Sequence, residues 1–142
     1  LHRQNFKLDS KADFFLAESN LMQQVFFNLV NNACQAMKTA GTLTIESLKE
    51  GSEVILRIQD TGTGVPQEIQ KKIFEPFFTT KSEGIGTGLG LSLSQKVVEK
   101  YGGKISLVSS SKQGTLFEIR MPRLRSSEKV PGQGQELEGK VK

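Results

Sequence analysis

Four amide side chains, Gln24, Asn28, Asn32 and Gln35, recur at helical spacing beside an apolar stripe. Residues four apart advance about 400° around a helix, so Asn28 and Asn32 lie one turn apart on one face. Asparagine competes with the helix for backbone hydrogen bonds, so stacking several here needs a reason. Amide oxygens are hard, neutral ligands and suit a hydrated magnesium ion. The same row also suits a plain solvated face.

A second group lies at Asp60-Thr61-Gly62-Thr63-Gly64. Val54, Leu56 and Ile58 alternate before it, and position 60 continues their face, so Asp60 points inward at a strand's end. A buried carboxylate is costly unless it accepts hydrogen bonds, which an exocyclic amino group of a base could donate. Gly62 and Gly64 would let a flat ring approach the backbone, although a simple Asp-Gly turn has the same composition. Thr115 falls on the inward face of another strand with Phe117, Ile119 and Met121. Its hydroxyl could serve Asp60, a base-bound water or its own backbone.

The third group is glycine. Gly84, Gly86, Gly88 and Gly90 alternate into a helical pattern. Each glycine inside a helix costs roughly 0.5–1 kcal/mol, so this density at a helix start implies a purpose. Free N–H groups there, with the helix dipole behind them, bind anions, and upstream glycines permit a lid over phosphates. Lys81 adds a cation just before the run. A flexible linker has similar composition, but the following helix is well patterned. Gly134 to Lys140 also spells the opening of a P-loop, yet Val141 replaces the metal-binding Ser/Thr and no strand precedes it, so that match is accidental.

The elements that position these groups follow from periodicity. Two short apolar segments, around Phe6 and Leu8 and from Phe14 to Leu16, read as strands. Leu21, Val25, Leu29, Ala33 and Met37 repeat every four residues and predict a helix from Leu21 to Met37, with Ser19 or Asn20 as N-cap. Strands are expected at Thr42–Ser47, Glu53–Gln59, Lys104–Ser109 and Gly114–Met121. A short helix is expected from Gln67 to Ile73, a long loop from Glu75 to Gly86, and a second long helix from Gly88 to Tyr101. Residues 1–122 read as one domain. Residues 123–142 are nearly devoid of apolar side chains and read as a disordered tail.

Composition narrows the function classes. At 142 residues the chain suits one domain. No apolar run could span a bilayer, and no signal-peptide pattern opens the sequence. The lone Cys34 excludes an internal disulfide and fits a reducing, cytoplasmic compartment, even if the parent protein is membrane-anchored. The net charge of +4 is scattered among acids, which argues against nucleic acid and suits a polyanionic small ligand.

In this order the groups resemble the catalytic and ATP-binding domain of sensor histidine kinases, within the GHKL superfamily. Gln24-Val25-Phe26-Phe27-Asn28-Leu29-Val30-Asn31-Asn32-Ala33 is similar to the N box, and Asp60-Thr61-Gly62-Thr63-Gly64 to the G1 box. Ile73-Phe74-Glu75-Pro76-Phe77-Phe78 is similar to the F box, and Gly86-Thr87-Gly88-Leu89-Gly90-Leu91 to the G2 box. Ala33-Cys34-Gln35-Ala36-Met37 and Phe77-Phe78-Thr79-Thr80-Lys81 resemble the nitrogen-regulation branch in particular. The resemblance covers about Leu21 to Pro122. It implies an α+β fold, a two-layer α/β sandwich with one mixed, mostly antiparallel sheet and the long helices on one face.

The resemblance also implies ATP and Mg²⁺ as ligands. Asn28 and Asn32 would meet the metal and phosphates, and Asp60 the adenine amino group. Thr115 would assist Asp60 through water, and Val65 would pack near the base. Gly86, Thr87, Gly88, Leu89 and Gly90 would cap the phosphates. Gln35 stands where many members carry a basic residue, so that phosphate contact would be absent or supplied by Lys81. Hydrolytic relatives carry a glutamate at the position of Asn28. An amide cannot take a proton from water, so slow hydrolysis and transfer to a docked acceptor are expected.

The only histidine, His2, lacks an acceptor context. The expectation is therefore a kinase catalytic domain, with no catalytic base assigned, serving a histidine on the parent's dimerisation domain and, indirectly, a response regulator receiver. It would not autophosphorylate alone, and direct membrane contact is not expected. A nucleotide-gated binding module and a hydrolytic ATPase are the alternatives.

Overall fold

The computed structural model describes residues 2–8, 19–79 and 90–123. In chain order these form β1 (His2–Leu8), α1 (Ser19–Ala36), β2 (Gly41–Glu50), β3 (Glu53–Asp60) and a single 3₁₀ turn (Gln67–Ile69). Then come α2 (Gly90–Lys100), β4 (Lys104–Ser111) and β5 (Gly114–Pro122). The five strands make one sheet in the order β1-β2-β3-β5-β4. β1 runs parallel to β2, and the other pairings are antiparallel. Connectivity dictates this: β1 and β2 are separated by α1, whereas β2 and β3 are joined by a tight turn at Gly51 and Ser52. The mixed, mostly antiparallel sheet with its long helices matches the expected architecture.

The core lies between the helices and the inner sheet face. Val25, Leu29 and Ala33 on α1, and Met37 just past its end, stand four residues apart and are all buried. They meet Leu43 of β2, Leu56 and Ile58 of β3, and Phe117, Ile119 and Met121 of β5. Each large apolar side chain removed from water here contributes about 1.5–3 kcal/mol. α2 adds Val98, packs against α1, and ends in a paired hydrogen-bond motif: Gly103 N donates to Val98 O and Gly102 N to Glu99 O, both at 3.0 Å.

The opposite sheet face is polar but not loose. Glu118 is only 6% exposed, and it accepts from Arg57 Nε at 2.9 Å and Arg120 Nε at 2.7 Å. Burial alone would raise its pKa, but the two arginines override that and hold it below the usual value. Ile55 sits on this face opposite Arg120 and is fully buried, an apolar centre beside the charged ladder. Simple alternation does not foresee that burial, because long arginine stems can cover apolar surface.

Several boundaries differ from expectation. Ser19 is already helical, so it is not the cap. β2 and β4 each run further than alternation suggests, to Glu50 and Ser111. The expected helix from Gln67 to Ile73 is only the 3₁₀ turn. Beyond it Lys72, Glu75 and Phe78 each donate to the residue three back, at 2.9, 2.9 and 3.3 Å. This chain of tight turns buries Ile73 and packs Phe74 and Phe78 on the core, with Phe74 edge-on to Phe117 at 6.3 Å. Phe77 is left 74% exposed at φ 66°. The segment Phe14 to Leu16, the expected start of α2 at Gly88, and the tail from 124 to 142 lie outside the described residues.

Candidate functional site

β3 and β5 bring Asp60 and Thr115 directly opposite each other on the inner sheet face. Both are 4% exposed, as alternation requires. Asp60 Oδ1 accepts from Gly62 N at 2.8 Å, and the carboxylate also accepts from the backbone N–H of Thr115. Burial pushes its pKa up, and these two N–H donors oppose the shift without cancelling it. The result is a prepared acceptor at the end of the central strand.

The loop after Asp60 is held at both ends by protein. Thr63 N donates to Ala36 O, the last residue of α1, at 3.3 Å. A Cβ on Gly62 would stand 2.7 Å from the Cβ and carbonyl oxygen of Ala36. Gly64 adopts φ 79°, and a Cβ there would stand 2.0 Å from Ser111 O. The two glycines are thus required for packing against α1 and the β4–β5 hairpin, a different reason from the ring approach that composition suggests. Thr61 ties the start of the loop to β2 and to Met37, just past the end of α1. Its Oγ1 accepts from Thr42 N at 2.9 Å and donates to Met37 Sδ at 3.6 Å.

Val65 packs partly buried against the core, and its N–H donates to Ser110 Oγ at 2.7 Å. Ser110 Oγ also lies 3.0 Å from Thr115 Oγ1. The Thr115 hydroxyl therefore has a protein partner that alternation did not identify.

The second half of the site belongs to the helices. Asn28 and Asn32 are half-buried on one face of α1, while Gln24 is exposed. Asn28 Nδ2 lies 3.3 Å from both Gly90 O and Ser94 Oγ, and Ser94 Oγ donates to Gly90 O at 2.7 Å. The amide nitrogen is committed to the first turn of α2, which leaves the oxygen as the atom available to a cation. Ser94, only 1% exposed, was missed in the sequence, although a serine four residues before buried Val98 signals a polar contact inside an apolar stripe.

Gln35 Oε1 is buried with no hydrogen-bond partner among the described residues. An unsatisfied buried acceptor is costly, and its location beside the asparagine row fits a ligand-binding end. Among the described residues no group of three His, Cys, Asp or Glu could cage a metal. Amide oxygens together with the oxygens of a phosphate ligand fit Mg²⁺, which keeps few protein ligands. Lys81, Gly86, Thr87, Gly88 and Leu89 lie outside the described residues, so of the expected phosphate cap only Gly90 is placed.

Residues 17–125 match the family described as histidine kinase-, DNA gyrase B-, and HSP90-like ATPase. The sensor kinase CckA of Brucella abortus (strain 2308) is 39% identical over 135 residues, covering 83% of this chain. The chain spans only 14% of that kinase's length. The nucleotide-free catalytic domain of histidine kinase ThkA superposes with a TM-score of 0.76 at 35% identity, covering 86% of this chain and 79% of that one. ThkA in complex with response regulator protein TrrA gives a TM-score of 0.71 at 30% identity, covering 89% of this chain and 36% of the other.

Proposed function

The chain belongs to the histidine kinase-, DNA gyrase B-, and HSP90-like ATPase family and has the fold of a histidine kinase catalytic domain; on that premise we propose that it holds ATP and presents the γ-phosphate to a histidine on a separate dimerisation and acceptor domain of its parent kinase. The base end would seat adenine, its amino group donating to Asp60, with Val65 beside the ring and Thr115 reaching the ring through water. At the phosphate end, Asn28 and Asn32 would turn their amide oxygens to the metal and phosphates, and Gln35 would offer its unpaired acceptor to bound water or a metal-bound ligand. Bound Mg²⁺ would neutralise charge on the phosphates. The N-terminus of α2 at Gly90, with its dipole, would face the phosphate oxygens.

The observation that carries the donor reading is Asn28. Its nitrogen is tied to Gly90 and Ser94, and neither end of an amide can take a proton from attacking water. Catalysis would then rest on positioning and charge neutralisation rather than on a base within this chain. The complex of ThkA with TrrA supports a response regulator as the next acceptor for the parent kinase. Among the described residues no helix is long and apolar enough to cross a membrane. A cytoplasmic placement of this domain is part of the same proposal.

A trans-phosphorylation assay tests the proposal. The chain is mixed with the separately produced acceptor domain of its parent kinase and γ-labelled ATP. Acid-labile phosphohistidine on the acceptor is expected, with slow phosphate release by the chain alone. Tight nucleotide binding without label would instead support a nucleotide-gated module, and rapid turnover by the chain alone would support a hydrolytic ATPase.

A further inference from the structure

We propose that Ser94 is a positioning residue for the metal end of the site: its hydroxyl holds the Asn28 amide by the nitrogen and so keeps the Asn28 oxygen for a bound magnesium ion. The inference rests on the reading that places Asn28 at the metal, and carries it one residue further, onto the facing helix.

Ser94 stands one turn before Val98 on α2, and both are hidden, at 1% and 0% exposed. An apolar side chain would suit that stripe, so a hydroxyl there needs partners of its own. It has two. Its proton goes to Gly90 O at 2.7 Å, because a carbonyl oxygen can only accept. Helical serines often return their proton to the carbonyl four residues back. Here that ordinary bond has a second effect, because Ser94 Oγ is left with lone pairs alone for its other partner.

Asn28 supplies what those lone pairs need. Its Nδ2 lies 3.3 Å from Ser94 Oγ and 3.3 Å from Gly90 O. The amide nitrogen carries two protons and meets two acceptors. A reversed amide would set Oδ1 against Gly90 O, oxygen against oxygen, and would find the Ser94 proton already taken. The direction of every bond in this triangle is therefore fixed by Gly90 O, which has no proton to give.

Two effects tie Ser94 to the metal. Asn28 is half-buried and both its bonds are long, so with one acceptor gone the amide is free to turn. Donation from the nitrogen also enriches the oxygen of the same amide, since linked hydrogen bonds polarise one another. Loss of the Ser94 hydroxyl thus loosens the aim of the Asn28 oxygen and weakens it as a cation ligand. Nucleotide without metal presents only acceptor oxygens to that amide oxygen, so its binding depends little on Ser94.

The test is a double-mutant cycle, read by calorimetric titration of the 142-residue chain with a non-hydrolysable ATP analogue in Mg²⁺ and in EDTA. Ser94→Ala is expected to weaken the analogue about three- to fivefold in Mg²⁺ and less than about twofold in EDTA. On an Asn28→Ala background, Ser94→Ala should change neither affinity by more than about twofold, because the residue it acts through is gone. A side chain that merely packs α2 would add its loss in both backgrounds and both conditions. If Ser94→Ala melts below the assay temperature, Ser94→Cys keeps the volume with a much weaker hydrogen-bonding group and gives the same comparison. No loss, equal losses with and without Mg²⁺, or a full second loss on Asn28→Ala overturns the proposal. Asn28→Ala alone separates the two levels. If its own loss does not depend on Mg²⁺, the placement of Asn28 at the metal fails. If its loss is metal-selective while that of Ser94→Ala is not, only the role of Ser94 fails.

Discussion

The proposed base end and the proposed phosphate end of the site are built by different means. At the base end, Asp60, Thr115 and Ser110 sit on adjacent strands, and backbone N–H groups of Gly62, Val65 and Thr115 hold their polar atoms. Glycines 62 and 64 pack so closely that a methyl group at either would strike protein. At the phosphate end, side-chain amides on α1 meet the first turn of α2 through Asn28, at the long hydrogen-bond distance of 3.3 Å. There Gln35 Oε1 stays unpaired among the described residues. The base end is finished before ligand arrives, so it can supply selectivity without reorganisation. The phosphate end leaves the Gln35 acceptor, unpaired among the described residues, for a ligand to complete, which suits a group that must be handed on.

The strongest way to break this contrast is to damage the base end's packing. Gly64→Ala places a Cβ 2.0 Å from Ser111 O at φ 79°. It should cost about 3 kcal/mol and lower the melting temperature by about 10 °C, with nucleotide binding falling alongside. A variant that melts like wild type in a thermal scan would mean the loop is not locked.

The phosphate end should respond differently. Asn28→Ala removes a partly exposed amide, so the melting temperature should shift by only a few degrees. Affinity for the magnesium–ATP analogue should fall about tenfold, with a smaller loss for the metal-free nucleotide. Calorimetry with and without Mg²⁺ checks this, and equal losses would remove Asn28 from the metal.

The smallest expected effect is on pH. Burial raises the Asp60 pKa, so the carboxylate takes up a proton at higher pH than a free aspartate. Folded-state stability from this group is therefore fullest below its unfolded pKa and is lost as pH rises through the raised value. Nucleotide affinity runs the other way, weakening as the acceptor is protonated on acidification. Titrations at descending pH should show this decline in wild type and a flatter profile in Asp60→Asn.

Much of this was legible in the sequence, for stated reasons. Period four along α1 named Val25, Leu29, Ala33 and Met37, and all are buried because a helix on a sheet must hide one stripe. Period two placed Asp60 and Thr115 inward, and they face each other. Ser110 was not legible, because a bulge breaks the period that would have to reveal it, and alternation in β4 favours Ser109 instead. The segment from Gln67 defeated helix prediction, since three-residue turns and helices share an apolar pattern over a single turn. The reason for Gly62 and Gly64 was also hidden, because Ala36 and Ser111, the backbones they accommodate, are remote in sequence.

The most direct measurement pairs affinity with stability in Asp60→Asn. The buried carboxylate is costly to the empty fold and needed by the base, so the two quantities should move in opposite directions. Asp60→Asn is expected to weaken an ATP analogue at least about tenfold while the nucleotide-free chain melts at the same temperature or slightly higher. Unchanged affinity in a chain that melts normally would contradict it.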